Sequence, residues 1–187
     1  MNRDEILELR RYLNENPSKD FIQVNHFQMI ISVLFIKKLK EELCFCMNYW
    51  DLNIITVKNR YSLLLISETL NHLNRAKIFI KLNIISAFNW LWIKEEDEVL
   101  IVFHTWFELF EYLIMLFNLC NESVLFQKYI NNTLHEHLNK FCTVYLNDIL
   151  IYLDNELEHE IYVKLILRKL QEANLQMNII KCKFHIT

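Results

Sequence analysis

Glycine is missing from this chain altogether, and proline occurs once, at Pro17. At ordinary usage of about 7 % and about 5 %, a chain this long would carry roughly thirteen glycines and nine prolines. Glycine supplies positive φ in tight turns and lets backbones approach closely, so a sheet-containing fold without it must place other residues there. Asparagine is abundant and tolerates left-handed turns, which makes it the expected substitute. Long apolar runs are also lacking: the longest, Met29 to Ile36, is broken by Ser32, far short of the roughly 18 residues of a membrane span. The N-terminus, Met-Asn-Arg-Asp-Glu-Ile-Leu, has no apolar signal-peptide region, so an intracellular, soluble chain with no membrane partner is expected. Five cysteines (Cys44, Cys46, Cys120, Cys142, Cys182) are odd in number and show no C-x-x-C spacing, which argues against a disulfide framework or a structural zinc site. His135 and His137 are two apart and point to different faces of a helix, and His159 opens a Glu-rich helix; all three are read as surface residues.

What is present is apolar mass. The chain has 187 residues, 53 % of them hydrophobic, enough for one domain or two small lobes sharing a core and too apolar for intrinsic disorder. Ile6, Leu9 and Leu13 mark a short amphipathic helix over Asp4 to Asn14. Residues 21–57 read as mostly extended, with runs at Phe21 to Val24, Val33 to Ile36 and Leu43 to Met47, and a polar hairpin tip at 37–42. A helix is predicted over Leu65 to Leu73, then a strand from Ile78 to Leu82 ending at Asn83. A strand pair is predicted from Leu91 to Ile93 and from Val99 to Phe103, joined by the acidic turn 94–98. Glu122 to Leu138 reads as a helix leading into a hairpin over 141–153. The last helix, Glu156 to Ala173, carries Leu157, Ile161 and Leu165, with Tyr162, Ile166 and Leu170 beside them, as its apolar stripe, and Glu160, Lys164 and Arg168 on a solvated side. Irregular alternation of helices with antiparallel hairpins favours an α+β fold.

The most informative segment is Tyr145-Leu146-Asn147-Asp148, running into Ile149-Leu150-Ile151-Tyr152. Two β-prone runs flank a polar step, the pattern of a tight hairpin with polar groups at its tip. The segment resembles the Tyr-x-Asp-Asp box of reverse transcriptases, in the Tyr-Leu-Asp-Asp-Ile-Leu-Ile-Tyr form of gypsy-type LTR retrotransposon Pol polyproteins. The resemblance spans nearly the whole chain. Val33 to Lys38 is similar to the family's fingers strand, Cys46 to Asn53 to its Cys-Val-Asp-Tyr-Arg-Gly-Leu-Asn, and Lys58 to Leu63 to its Lys-Asn-Arg-Tyr-Pro-Leu. Ala76 to Asn83 is similar to the strand that ends in the first catalytic aspartate. Phe110 to Leu119, Phe126-Gln127, Glu158-His159 and Lys181 to His185 continue the likeness.

The resemblance implies an α+β reverse-transcriptase-type palm, an antiparallel sheet backed by helices, with a fingers subdomain. Roughly residues 1–75 would be mainly fingers and 76–187 mainly palm. The thumb and RNase H regions that follow in a full polyprotein are expected to be absent. It implies RNA-directed DNA polymerase activity, a two-metal Mg2+ site, and an RNA/DNA template–primer and dNTP as partners. Catalytic and metal-binding positions would be Asn83, Asn147 and Asp148. Phe88 would be the gate against a 2′-hydroxyl, although core packing explains an aromatic there equally well. Cys44 would stand where an arginine holds the incoming triphosphate.

Nucleotidyl transfer with two magnesium ions needs hard oxygen ligands, chiefly carboxylates. Of the three carboxylate positions only Asp148 keeps its charge; an amide is neutral and offers one oxygen. If each loss removes several kcal/mol of transition-state stabilisation, activity falls by roughly 10³-fold per site. Cys44 offers neither charge nor a bidentate fork, and Trp50, Trp92, His104 and Trp106 also stand at family arginine positions. Family glycines are represented by Glu41, Asp51, Glu96, Glu108 and Asn118, family prolines by Ser62, Leu64, Leu116 and Ser123, and family aspartates by Asn48, Asn83 and Asn147. Every departure is reachable by C-to-T or G-to-A changes, so the chain reads as a degenerate transposon relic. Undoing them would turn the net charge of −3 positive, the sign a phosphate-gripping surface needs. The expected function is a reverse transcriptase domain by descent, impaired or dead. The alternatives are a non-catalytic relic that binds nucleic acid or a protein partner, and a chain with no molecular role.

Overall fold

The structure is a computed structural model describing residues 3–16, 21–26, 31–37, 43–61, 73, 76–85, 91–106, 108–153 and 155–186. The elements follow in the order α1 (Arg3–Glu15), β1 (Ile22–Val24), β2 (Val33–Lys37), β3 (Leu43–Met47), α2 (Trp50–Ile55) and β4 (Ile78–Asn83), then a 3-10 turn (Glu98–Ile101). After it come β5 (Phe103–His104), β6 (Leu109–Tyr112), α3 (Glu122–Thr133), β7 (Cys142–Tyr145), β8 (Asp148–Leu153), α4 (Glu156–Glu172) and β9 (Lys183–Ile186). This is an α+β fold in which every named strand pair is antiparallel. The chain forms two compact units, each assembled from two stretches: Met1–Lys58 with Phe88–Glu122, and Asn59–Ala87 with Ser123–Thr187. Among the described residues no helix is long and apolar enough to cross a membrane.

The first unit holds a three-stranded sheet in the order β1-β6-β5 and the β2-β3 hairpin. Ile22, Met47, Tyr49, Ile101, Phe103, Phe110 and Tyr112 are its buried apolar cluster. Phe103 stacks on Tyr112 with ring centroids 4.8 Å apart, and the Tyr112 hydroxyl donates to the Tyr12 hydroxyl of α1 at 2.9 Å.

In the second unit the sheet order is β7-β8-β4-β9. Alternation sorts its residues cleanly: Ile78, Ile80 and Leu82 of β4 and Ile149 and Ile151 of β8 are buried, while Phe79, Lys81 and Asn83 take the opposite face. α4 packs on β8, and Ile166 and Leu170 of α4 with Phe126 and Ile130 of α3 are fully or almost fully buried.

Several expectations need correction. Residues 50–55 are a helix rather than extended chain; the Trp50 N–H donates to the Asn48 side-chain oxygen at 3.1 Å, a local bond that starts a helical turn. The strand pair expected over 91–93 and 99–103 does not form. The Lys94 carbonyl accepts the N–H groups of Asp97 at 2.8 Å and Glu98 at 3.2 Å, winding the acidic segment into the 3-10 turn. Leu91 and Ile93 bond instead to Met115 and Leu113, at 2.7 and 2.9 Å. The helix expected to reach Leu138 ends at Thr133. His159 is buried, not on the surface, because it shares a face of α4 with Ile166 and Leu170, whereas Ile161, assigned to the stripe, is exposed. β6 and β9 are strands that no apolar periodicity in the sequence marks. The helix predicted over 65–73 lies outside the described residues except for Leu73.

Candidate active site

β7 and β8 are joined by the two-residue turn Leu146-Asn147, closed by the pair Tyr145↔Asp148. Leu146 has φ 52°, and a first central residue at positive φ suits the twist of a hairpin. Gln127 of α3 holds this turn from beneath and is itself fully buried. Its Oε1 accepts the Leu146 N–H at 2.7 Å, and its Nε2 donates to the Val144 carbonyl at 3.0 Å and to Asn131 Oδ1 at 2.8 Å.

β4 brings the second half of the site. Asn83 is the cross-strand partner of Asp148, so both side chains stand on the same face. The Asn83 amide donates to Asp148 Oδ1 at 2.7 Å. Lys81, two residues back on β4 and diagonal to Asp148, places its ammonium 2.8 Å from Oδ2. Both oxygens of the remaining carboxylate are therefore occupied by donors. Asn83 is fixed further by its backbone: its N–H donates to Cys182 Sγ at 3.3 Å, and its carbonyl accepts from Asn178 at 2.7 Å. The Asn147 carbonyl accepts the Ile84 N–H at 2.8 Å, tying the hairpin turn to the end of β4.

The sequence-predicted residues divide as follows. Asn83, Asn147 and Asp148 come together in the second unit. Cys44 is the second residue of β3, paired with Ile36. Phe88 lies outside the described residues. Lys81, Gln127 and Cys182 were legible only as letters within the resemblance, and nothing in their own spacing marked them as neighbours of the box.

A divalent metal needs oxygen donors turned toward it. Here Asn83 turns its N–H groups to Asp148, and among the described residues no group of three or more His, Cys, Asp or Glu side chains could hold a metal ion. The residues present do not fit a two-metal centre.

The sequence model of the reverse transcriptase (RNA-dependent DNA polymerase) family matches residues 26–186. The chain belongs to the reverse transcriptase family. It is 35 % identical over 153 residues to the Transposon Tf2-3 polyprotein of Schizosaccharomyces pombe, covering 82 % of this chain. It is 36 % identical over 137 residues to the retrovirus-related Pol polyprotein from transposon 297 of Drosophila melanogaster, covering 73 % of this chain. The matches span only 12 % and 13 % of those polyproteins. Its fold matches the foamy viral protease-reverse transcriptase in complex with RNA/DNA hybrid at a TM-score of 0.87, with 14 % identity, over 98 % of this chain and 25 % of that one. The same viral protein in complex with dsDNA matches at 0.84, with 13 % identity, over 98 % of this chain and 36 % of that one. Reverse transcriptases as a family use a divalent metal.

Proposed function

We propose that this chain is a fingers-and-palm reverse transcriptase domain of retrotransposon descent that keeps the fold and has lost nucleotidyl transfer. The first unit corresponds to the fingers and the second to the palm. A template–primer duplex is the partner, since the solved structures of like fold hold RNA/DNA hybrid or dsDNA. Mg2+ is the family's ion, held weakly or not at all here.

The carrying observation is the Asn83–Asp148–Lys81 constellation. A polymerase site presents free carboxylate oxygens to cations; this one presents a carboxylate bonded to an amide and an ammonium. Exposed indoles support the same reading. Trp50, Trp92 and Trp106 are 72, 64 and 76 % exposed, where tryptophan is ordinarily well buried, and each stands at a family arginine position. A surface fashioned for arginine accounts for all three.

The test is primer extension on an RNA template with Mg2+ or Mn2+. The unaltered chain should incorporate no nucleotide above background, and Asn83→Asp with Asn147→Asp should bring back measurable extension. Incorporation by the unaltered chain that Asp148→Ala abolishes would overturn the reading.

A further inference from the structure

α2 turns an apolar face to solvent. Its Leu52 packs against the aromatic cluster of the first unit, but none of its residues is fully buried. Trp50 and Ile54, at i, i+4 spacing, share one side of the helix. Ile55 adjoins them, and Val57 follows where the helix has ended at Thr56. These four side chains are between 69 and 87 % exposed. The face is also held still. Asn53 Nδ2 donates to the Asn118 carbonyl at 2.6 Å, its Oδ1 accepts the Cys120 N–H at 2.8 Å, and the Asn121 amide donates to the Val57 carbonyl at 2.9 Å. A surface fixed by its own fold loses little freedom on binding.

Exposed apolar side chains scattered singly are ordinary, but a patch of several hundred Å2 marks a contact surface. Trp50, Ile54, Ile55 and Val57 together offer on the order of 600 Å2, most of the roughly 800 Å2 that each partner brings to a standard interface. The flanking charges select the partner. Asp51 stands at the start of the patch and Lys58 just past its end, both exposed. A nucleic acid or an acidic lipid surface would meet Asp51 with like charge. A second copy of the chain, related by a twofold axis across Trp50 and Ile54, runs antiparallel to the first, so each copy's Asp51 faces the other copy's Lys58. A parallel arrangement would set like charge on like. We infer that two copies of this chain pair through α2, with Trp50 and Ile54 at the centre of the contact and the Asp51 and Lys58 pairs at its ends. The contact asks nothing of the Asn83–Asp148 site, so it stands or falls separately from the functional reading.

Sedimentation velocity of the full chain from about 1 to 100 μM, the range in which an interface of this size exchanges, tests the inference. The mean mass should rise from one chain to two and stop there. Trp50→Arg with Ile54→Arg should raise the dissociation constant by about tenfold or more, since a central tryptophan carries much of such a contact, while circular dichroism shows an unchanged fold. Asp51→Lys alone sets lysine against lysine and should weaken pairing severalfold; adding Lys58→Asp to the same chain should restore it. A chain that stays monomeric throughout, a mass that climbs past two chains, pairing unmoved by the Trp50 and Ile54 changes, or no rescue by the charge swap would overturn the inference. A monomer that instead binds a single-stranded oligonucleotide or anionic vesicles, with that binding lost in the Trp50 and Ile54 variant, would overturn it by giving the face to that ligand.

Discussion

Leu146 holds the one left-handed position among the described residues that asparagine does not fill; Asn118, Asn139 and Asn174 hold the others, at φ 78°, 61° and 56°. The glycine-free composition foretold this use of asparagine, but not where it would be needed. Asp51, Glu96 and Glu108, which the resemblance sets at glycine positions, have no positive φ, so the backbone penalty is narrower than composition suggested. A branched side chain at φ 52° costs about 1–2 kcal/mol. Leu146→Gly should raise stability by about 1 kcal/mol and the melting temperature by roughly 2–4 °C; a lower melting temperature would show that Leu146 contributes more by packing than it loses in strain. Glu122 is the other residue with a measurable signature. Burial pushes its carboxyl up to about 7 from an ordinary 4.5, against the lowering effect of the Asn118 N–H it accepts. A carboxyl raised in the folded state binds its proton more tightly there than in the unfolded chain. Its contribution to stability is complete below about 4.5 and is lost as pH rises through about 7. Glu122→Gln keeps the acceptor and removes the charge, so the fall in melting temperature between pH 5 and pH 8 should shrink. An unchanged fall would mean another group governs that window.

At the scale of elements, periodicity found what burial governs and missed what local bonds govern. α1, β4, the β7–β8 hairpin and α4 were legible because apolar residues recur at helical or strand spacing over the face that is buried. α2 was not, since none of its residues is buried and a single Asn48 bond opens it. The 3-10 turn was hidden because Ile101 and Val102 are both buried in succession, which mimics a strand. Gln127 shows the same limit at the site. Its spacing hints at nothing, yet two hydrogen bonds to the hairpin, beside a third to Asn131 on its own helix, make it the clamp between α3 and the hairpin. Gln127→Leu should cost about 1–3 kcal/mol, since the Leu146 N–H loses its acceptor and the Val144 carbonyl a donor. Urea unfolding would read it; a loss below about 0.5 kcal/mol would mean water or another group replaces the amide.

For the whole molecule, the sequence carried family and fold class well because the resemblance runs from one end to the other. The internal division is not a single cut along the chain. Each unit is built from two separated stretches, and composition does not change where the chain passes from one to the other. β1 has its partner in β6, about ninety residues away in sequence. A fragment of residues 1–75 therefore lacks the strand that lies between β1 and β5, and it should show no cooperative thermal transition by circular dichroism. A sharp melt would mean the β2–β3 hairpin and α1 suffice as a folding nucleus.

The Asn83–Asp148 bond has a bearing on history as well as on chemistry. Three clustered carboxylates repel one another until a cation joins them, so an intact polymerase site is at its least comfortable when empty. Here an amide and an ammonium quench the one remaining charge, and the apoprotein is relieved of that tension. Each aspartate restored singly would bring back repulsion before it brought back a working cage. On the descent proposed above, reversion would run uphill at its first step, and the loss would act as a ratchet.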